Sequence, residues 1–228
     1  MPDYSKPIYL DYIKLLIMTT LYYIHDPMCS WCWGFKPVWN KLQNKLPSRI
    51  KVKYLLGGLA KDSTMLMPLS LQSTIQSTWH TIQHEIPGID FNFDFWTCNE
   101  PRRSTYPACR AVIAARKQNS NMHMDMINRI QSAYYLEALN PSDISILIQC
   151  AKSLNLNIDI FKKNISSAET QAVLDEEINI SRELGVQGFP SLVLTHYNKD
   201  YFIAIDYNCE KSILENIERI IITSELNS

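Results

Sequence analysis

Two cysteines stand two residues apart in the segment MCSWCWGF, which covers residues 28–35. Cys29 and Cys32 enclose Ser30 and Trp31, and no other pair among the six cysteines of the chain is so closely spaced. Such a pair can supply half of the ligands of a zinc ion, form a structural disulfide, or exchange electrons with other thiols. The elements around the pair help to choose between these three chemistries.

The cysteine pair follows a predicted strand and opens a predicted helix. Residues 21–25 read as a strand, residues 26–28 as a loop, and residues 29–46 as a helix, because apolar residues recur there every four positions. A thiolate at the start of a helix faces unsatisfied N–H groups and the positive end of the macrodipole, which favour the charged form. We therefore expect Cys29 to be the nucleophile. Cys32, one turn further on the same face, can attack a mixed disulfide formed at Cys29.

The zinc and structural-disulfide alternatives find less support. Structural zinc usually needs a second Cys or His pair at short spacing, and of the five histidines only His80 and His84 are four residues apart. The sequence therefore predicts no metal site. Six cysteines are too few for a disulfide-stapled scaffold of this length. Cys150 fits a buried packing position, and a regulatory disulfide between Cys98 and Cys109 stays open.

Two neighbours of the pair have alternative roles. His25 lies four residues before Cys29. If it is protonated, it would stabilise the thiolate as an electrostatic neighbour; the alternative is a loop histidine without that role. Trp31 is expected to contact an apolar substrate, whereas Trp33 is expected to pack in the core.

The composition limits the partners. The chain has 228 residues, 46% hydrophobic and 20% charged content and a net charge of -1, so it can bury a full core. It lacks the global field that recruits nucleic acid or anionic membranes. Residues 8–24 are apolar, but Asp11 and Lys14 interrupt them, so neither a spanning helix nor a signal peptide is predicted. We expect a cytoplasmic protein, a monomer or a homodimer, with no nucleic-acid or membrane partner.

The order of predicted elements indicates an α/β domain that contains a helical insertion. Further strands are predicted at 50–56, 191–194 and 201–206, and helices at 68–86, 104–119, 122–138, 142–155, 166–184 and 211–223. The predicted division is therefore an α/β domain of residues 18–63 and 184–228, with a helical insertion domain of residues 64–183. Residues 1–17 form an N-terminal extension, either an appended arm or an artefact of the assigned start.

A second motif lies far from the cysteines. The segment GVQGFPSLVL, residues 185–194, places Phe189 and Pro190 directly before an apolar strand. A proline there cannot donate to the strand ladder, so it marks a special backbone position, of which a cis-proline is one kind.

Together, the cysteine pair, the helical insertion and the late proline resemble the thioredoxin-fold oxidoreductases of the DsbA type. The segments HDPMCSWCWGF and GFPS are most similar to the FrnE-like branch of predicted protein disulfide isomerases. The resemblance implies that Cys29 attacks, Cys32 resolves, and Pro190 is a cis-proline packed against the pair. It also implies that Phe189 offers backbone hydrogen bonds to an extended substrate. The buried acid that thioredoxins often carry six residues before the first cysteine is replaced by Tyr23.

The resulting function is a thiol–disulfide oxidoreductase or protein disulfide isomerase that acts on protein or small-molecule thiols and disulfides. No bound cofactor is expected, although glutathione could serve as co-substrate. The alternative is a glutathione-dependent isomerase or transferase, similar to 2-hydroxychromene-2-carboxylate isomerase and the kappa-class transferases. There a single thiol-activating position suffices, so a second cysteine at position 32 favours the oxidoreductase.

Overall fold

The structure, a computed structural model, describes residues 19–226. Within that range it has four strands and nine helices, and the predicted N-terminal extension of residues 1–17 lies outside it. In chain order the elements are β1 (Thr19–His25), α1 (Ser30–Gln43), β2 (Ile50–Leu56), α2 (Leu69–Glu85), α3 (Phe95–Cys98), α4 (Tyr106–Gln118), α5 (Met122–Tyr135), α6 (Ile144–Ser153), α7 (Ile158–Ile165), α8 (Ala168–Glu183), β3 (Ser191–His196), β4 (Lys199–Ile203) and α9 (Glu210–Leu226). The α/β class and the predicted order of strands and helices are confirmed.

The four strands form one sheet in the order β2–β1–β3–β4. Strand β1 is an interior strand, and six of its seven residues are buried, which explains its nearly unbroken apolar sequence. Strands β3 and β4 are antiparallel, with Leu192 opposite Ile203 and His196 opposite Lys199. The first strand–helix–strand segment thus places β2 beside β1.

The turn between β3 and β4 corrects the predicted last strand. Tyr197 and Asn198 both have positive φ, at 48° and 57°. This combination is typical of the two-residue turns that match the twist of a hairpin. The turn starts β4 at Lys199 and pairing ends at Ile203, so the strand predicted at 201–206 begins earlier and is shorter.

Seven helices, α2 to α8, lie between β2 and β3, where the sequence predicts an all-helical stretch. Their ends differ from the predicted ends by up to three residues, but α3 and α7 are not predicted at all. Helix α7 begins at a local signal, because the Asn157 side chain accepts a hydrogen bond from the N–H of Ile160 at 3.0 Å. The domain limits at 63/64 and 183/184 stay a prediction.

The chain divides into two compact units. We call residues 19–23, 37–54 and 191–226 the strand unit, and residues 24–36 and 55–190 the helical unit. In the strand unit, α9 buries Ile213, Ile217 and Ile221 on one face, at the four-residue spacing of an amphipathic helix. Each fully buried isoleucine contributes roughly 1.5–3 kcal/mol relative to exposure.

The helical unit is built around α4. This helix is buried almost along its length and is rich in alanine, so α5, α7 and α8 can pack against it. Near its end, Arg116 forms an ion pair with Glu177, a largely buried carboxylate that also accepts a hydrogen bond from the N–H of Leu56 at 2.8 Å. The pair gives both charges the hydrogen bonds that burial requires.

Candidate active site

Cys29 occupies the first position before helix α1. Its N–H donates to the carbonyl of Asp26 at 3.1 Å, and its carbonyl accepts the N–H of Trp33 at 3.1 Å, the first bond of the helical ladder. In the structure, Cys29 therefore lies at the start of a helix, as the sequence predicts.

The two thiols of the pair differ in access to solvent. Both are reduced in this structure; Cys29 is 6% exposed and lines a cavity, whereas Cys32 is 1% exposed and does not. Burial raises the pKa of Cys32 well above its usual value, and the neighbouring Cys29 thiol raises it further. Cys32 is therefore protonated at neutral pH and must lose a proton before it can attack a disulfide.

Phe189 and Pro190 lie where the sequence motif places them. The peptide bond between them is cis, and Pro190 is buried. The carbonyl oxygen of Phe189 accepts a hydrogen bond from the Cys29 thiol, with an Sγ–O distance of 3.3 Å. The ring of Phe189 approaches so closely that a Cβ atom on Gly57 would lie 2.0 Å from its Cε1 atom. Residue 57 must therefore be glycine for the Phe189 ring to keep this position.

A cavity of about 240 Å³ opens beside Cys29. Of the three predicted substrate-binding residues, Trp31 and Phe189 line it, together with residues that follow β2 and residues 102–105, whereas Pro190 is not among the lining residues. Trp33, for which packing is expected, is 8% exposed; its indole N–H donates to the carbonyl of Asp90 at 3.1 Å and its ring stacks on Tyr135. The structure thus brings Cys29, Trp31 and Phe189 to one cavity.

Asp26 is a buried carboxylate that the sequence analysis does not identify. It is fully buried, and its Oδ2 atom accepts hydrogen bonds from the N–H of Leu59 at 2.7 Å, the hydroxyl of Thr105 at 2.7 Å and the thiol of Cys109 at 3.5 Å. Burial raises the pKa of Asp26, and these hydrogen bonds oppose the rise. The negative charge of Asp26 in turn adds to the rise in the pKa of Cys32.

The structure does not favour a protonated His25. The ring is 1% exposed, and its Nε2 atom lies 3.2 Å from Nε2 of His123. Burial lowers the pKa of His25 to about 3, and the positive charge of Arg116 acts in the same direction. His25 is therefore neutral near pH 7. A neutral imidazole does not supply the positive charge that would stabilise the Cys29 thiolate.

The remaining cysteines are free thiols as well. Cys150 is buried, as its packing role predicts, and burial raises its pKa to about 11. Cys98 is exposed, whereas Cys109 is buried against Asp26, and the structure does not link them. Within residues 19–226, no three His, Cys, Asp or Glu side chains lie together in a group that could hold a metal ion. In the same range, no helix has the length and apolarity to cross a bilayer.

Comparison with known proteins places this site in a family. A family model described as thioredoxin matches residues 22–215. Among curated proteins, the chain is 23% identical over 184 residues to the ClpXP adapter protein SpxH of Halalkalibacterium halodurans, a match that covers 79% of this chain and 60% of that protein. SpxH of Bacillus subtilis is 24% identical over 182 residues. The chain thus spans about 60% of the length of the curated relatives that it matches.

Solved structures extend the comparison. A candidate protein disulfide isomerase from Nitrosomonas europaea superposes with a TM-score of 0.78 and 25% identity, over 90% of this chain and 98% of that one. The cytosolic disulfide reductase DsbM of Pseudomonas aeruginosa has a TM-score of 0.67 and 21% identity, over 91% and 98% of the two chains. The predicted thioredoxin fold with helices inserted between its strands, and the resemblance to DsbA-type proteins, are confirmed.

Proposed function

The chain belongs to the thioredoxin family, and from that premise we propose that it is a thiol–disulfide oxidoreductase that works through Cys29 and Cys32. One observation carries the proposal: Cys29 lines the cavity, whereas Cys32 is buried and is not among the lining residues. This asymmetry divides the roles of attacking and resolving thiol between the two residues.

The reaction begins at the cavity. The Cys29 thiolate attacks one sulfur of a substrate disulfide, which forms a mixed disulfide and releases the first substrate thiolate. Cys32 then loses its proton and attacks the Cys29 sulfur, which releases the second substrate thiolate and leaves a Cys29–Cys32 disulfide. The substrate gains two electrons and the protein loses two; run backwards, the same steps oxidise a substrate dithiol.

The second step needs a base for the Cys32 proton, and we assign that role to Asp26. Burial raises the pKa of this carboxylate, so it is a better proton acceptor than an aspartate in water. Its charge acts on Cys32, and the Leu59 N–H and Thr105 hydroxyl hold it in place.

Substrates would contact the cavity through Trp31 and the backbone of Phe189. The Phe189 carbonyl already accepts a hydrogen bond at the reactive sulfur, where an extended peptide or a small thiol could pair with it. Pro190 follows Phe189 through the cis peptide bond and is buried rather than part of the cavity lining. We further propose that the protein is cytosolic and needs no bound cofactor, and that glutathione resets the pair; the solved relatives include cytosolic DsbM, also determined with glutathione.

A second candidate function comes from the curated relatives, which are named ClpXP adapter proteins. An adapter would bind a partner protein without turning over a disulfide. The glutathione-dependent isomerase or transferase is the remaining alternative. Neither the adapter nor the isomerase or transferase would need the Cys32 thiol for its activity. The oxidoreductase needs it to resolve the mixed disulfide, and this difference separates the candidates.

The test is a redox titration combined with trapping. The purified protein is equilibrated in glutathione buffers, alkylated and weighed by mass spectrometry. We expect a reversible two-electron transition that involves Cys29 and Cys32. Cys32→Ser should accumulate mixed disulfides at Cys29 in cell extract, whereas the control Cys98→Ser, which removes an exposed thiol, should not. A protein with an unreactive pair that still binds a partner after both cysteines are replaced would be an adapter instead.

A further inference from the structure

We propose that the cavity beside Cys29 selects disulfides and thiols that carry a carboxylate, and that Arg103 binds that carboxylate. This rests on the proposed function, because it names the substrate class of the same reactive pair. It makes Arg103 a specificity-determining residue.

The charge of the cavity supports this choice. Arg102 and Arg103 both line it, and its lining contains no aspartate or glutamate among the described residues. The chain as a whole has a net charge of -1, so the positive character is local to this cavity. A local cation beside the reactive sulfur attracts an anionic substrate and repels a cationic one.

The two arginines are not equivalent. Arg102 forms an ion pair with Asp143, so the positive charge of its guanidinium is largely neutralised. The side chain of Arg103 is exposed, and within residues 19–226 its guanidinium takes part in no ion pair or hydrogen bond. Its charge opposes the rise that burial causes in the pKa of Tyr134, another residue of the cavity wall. The guanidinium of Arg103 is therefore the charge in this wall that is left to pair with a ligand.

The remaining walls suit the rest of such a substrate. Leu59, Met67 and Trp31 give the cavity an apolar side, against which the methylene groups between a sulfur and a carboxylate can pack. A cavity of about 240 Å³ is below the size of a typical drug-sized ligand site, which begins at about 300 Å³. It therefore fits a small thiol compound or one residue of a peptide.

Two hydroxyl groups next to Arg103, those of Ser104 and Thr105, have partners within the protein. Ser104 accepts a hydrogen bond from the N–H of Ser63, and Thr105 donates to Asp26. The planar guanidinium of Arg103 can bind a carboxylate with two parallel hydrogen bonds, which these hydroxyls could not replace.

The reaction that tests the proposal is a single turnover. The reduced protein and a symmetrical disulfide RSSR give the Cys29–Cys32 disulfide and two RSH molecules, so two electrons and two protons pass to the substrate and no further reductant is needed. Three disulfides share the same two-carbon arm and differ in charge: 3,3′-dithiodipropionate is anionic, 2-hydroxyethyl disulfide is neutral and cystamine is cationic.

The second-order rate constants are measured by stopped-flow tryptophan fluorescence, with mass spectrometry of alkylated samples to confirm the product. For each disulfide, the wild-type value is divided by that of Arg103→Gln, which cancels the intrinsic reactivity of the disulfide. We expect a ratio of about ten for dithiodipropionate, about one for hydroxyethyl disulfide and below one for cystamine. Arg103→Glu should make the preference for cystamine stronger still.

Arg49→Gln is the matched control, because Arg49 is an exposed arginine of the strand unit and its loss changes the net charge equally. Its ratios should stay near one for all three disulfides. Ratios for Arg103→Gln that are equal across the charge series would overturn the inference but leave the oxidoreductase in place. Failure of the wild-type protein to react with any of the three would instead remove the proposed function.

Discussion

The larger of two cavities and the Cys29 thiol are in different units of this protein. In the strand unit, a groove of about 880 Å³ lies between β4 and α9, lined by residues such as Tyr197, Phe202 and Arg219. In the helical unit, the cavity of about 240 Å³ contains Cys29. No cysteine or histidine is among the described residues that line the groove. The proposed site is therefore the smaller of the two cavities, chosen for the thiol and polar groups in its wall rather than for its volume.

The largest effect is expected from a substitution that removes the sulfur atom of Cys29. Cys29→Ser should lower the rate of disulfide exchange by at least about a thousandfold, because a serine hydroxyl is not ionised at neutral pH. The measurement is the oxidation of the reduced protein by glutathione disulfide. Cys150→Ser, in a buried packing position, is the matched thiol control and should keep the rate of the natural protein. Equal losses in both variants would contradict the assignment of Cys29.

A smaller loss is expected from Asp26→Asn, which removes the proposed base and keeps the shape of the side chain. Resolution of a Cys29–glutathione mixed disulfide by Cys32 should slow by about a hundredfold at pH 7, the usual contribution of a positioned base. The decay is followed by rapid quenching and mass spectrometry. The rate of the variant should rise tenfold per pH unit through neutrality, because hydroxide must now remove the Cys32 proton.

Thr105→Ser is the companion variant for that experiment. It keeps the hydroxyl that donates to Asp26 at 2.7 Å, so resolution should stay within about threefold of the natural rate. If Asp26→Asn resolved the mixed disulfide as fast as the natural protein, the base would have to be sought elsewhere.

Asp26 also predicts a dependence of stability on pH. Because burial raises its pKa in the folded protein, the folded state binds more protons than the unfolded state between the ordinary and the raised value. The free energy of unfolding therefore falls as pH rises through this window. We expect Asp26→Asn to become more stable relative to the natural protein as pH rises above the ordinary pKa of an aspartate, about 4, measured by urea unfolding with reductant present. If the difference in the free energy of unfolding between the two proteins did not change with pH, Asp26 would not titrate in this range.

The smallest effect is expected in the large groove. Phe202 is 58% exposed there, so Phe202→Ser should change the free energy of unfolding by no more than about 0.5 kcal/mol and leave disulfide exchange unchanged. Ile217→Val, at a fully buried position of the same unit, should cost about 1 kcal/mol and serves as the reference. A loss of exchange on Phe202→Ser would show that the groove takes part in the chemistry after all.

The parts of the site that the sequence predicts are local. The cysteine pair and its helix are read from a single segment, and the repeat of apolar residues places Cys29 at the helix start. The corrected strand β4 also follows a local rule, but the two-residue turn at Tyr197 and Asn198 lacks the glycine that usually marks such turns. The sequence of this turn therefore contains no glycine signal to indicate that β4 begins at Lys199.

Asp26 is missed for a different reason. Its position three residues before Cys29 is visible in the sequence, but its character depends on Leu59, Thr105 and Cys109, which come from distant segments. Burial and hydrogen bonding, and with them the pKa, arise only when these segments meet. The neutral state of His25 has the same origin, because it depends on burial against His123.

The hydrogen bond between the Cys29 thiol and the Phe189 carbonyl joins residues 160 positions apart in the chain. During synthesis at about 5–20 residues per second, Cys29 is made roughly 8 to 30 seconds before its partner exists. The contact between the Cys29 thiol and the Phe189 carbonyl can therefore form only after residue 189 has been added to the chain.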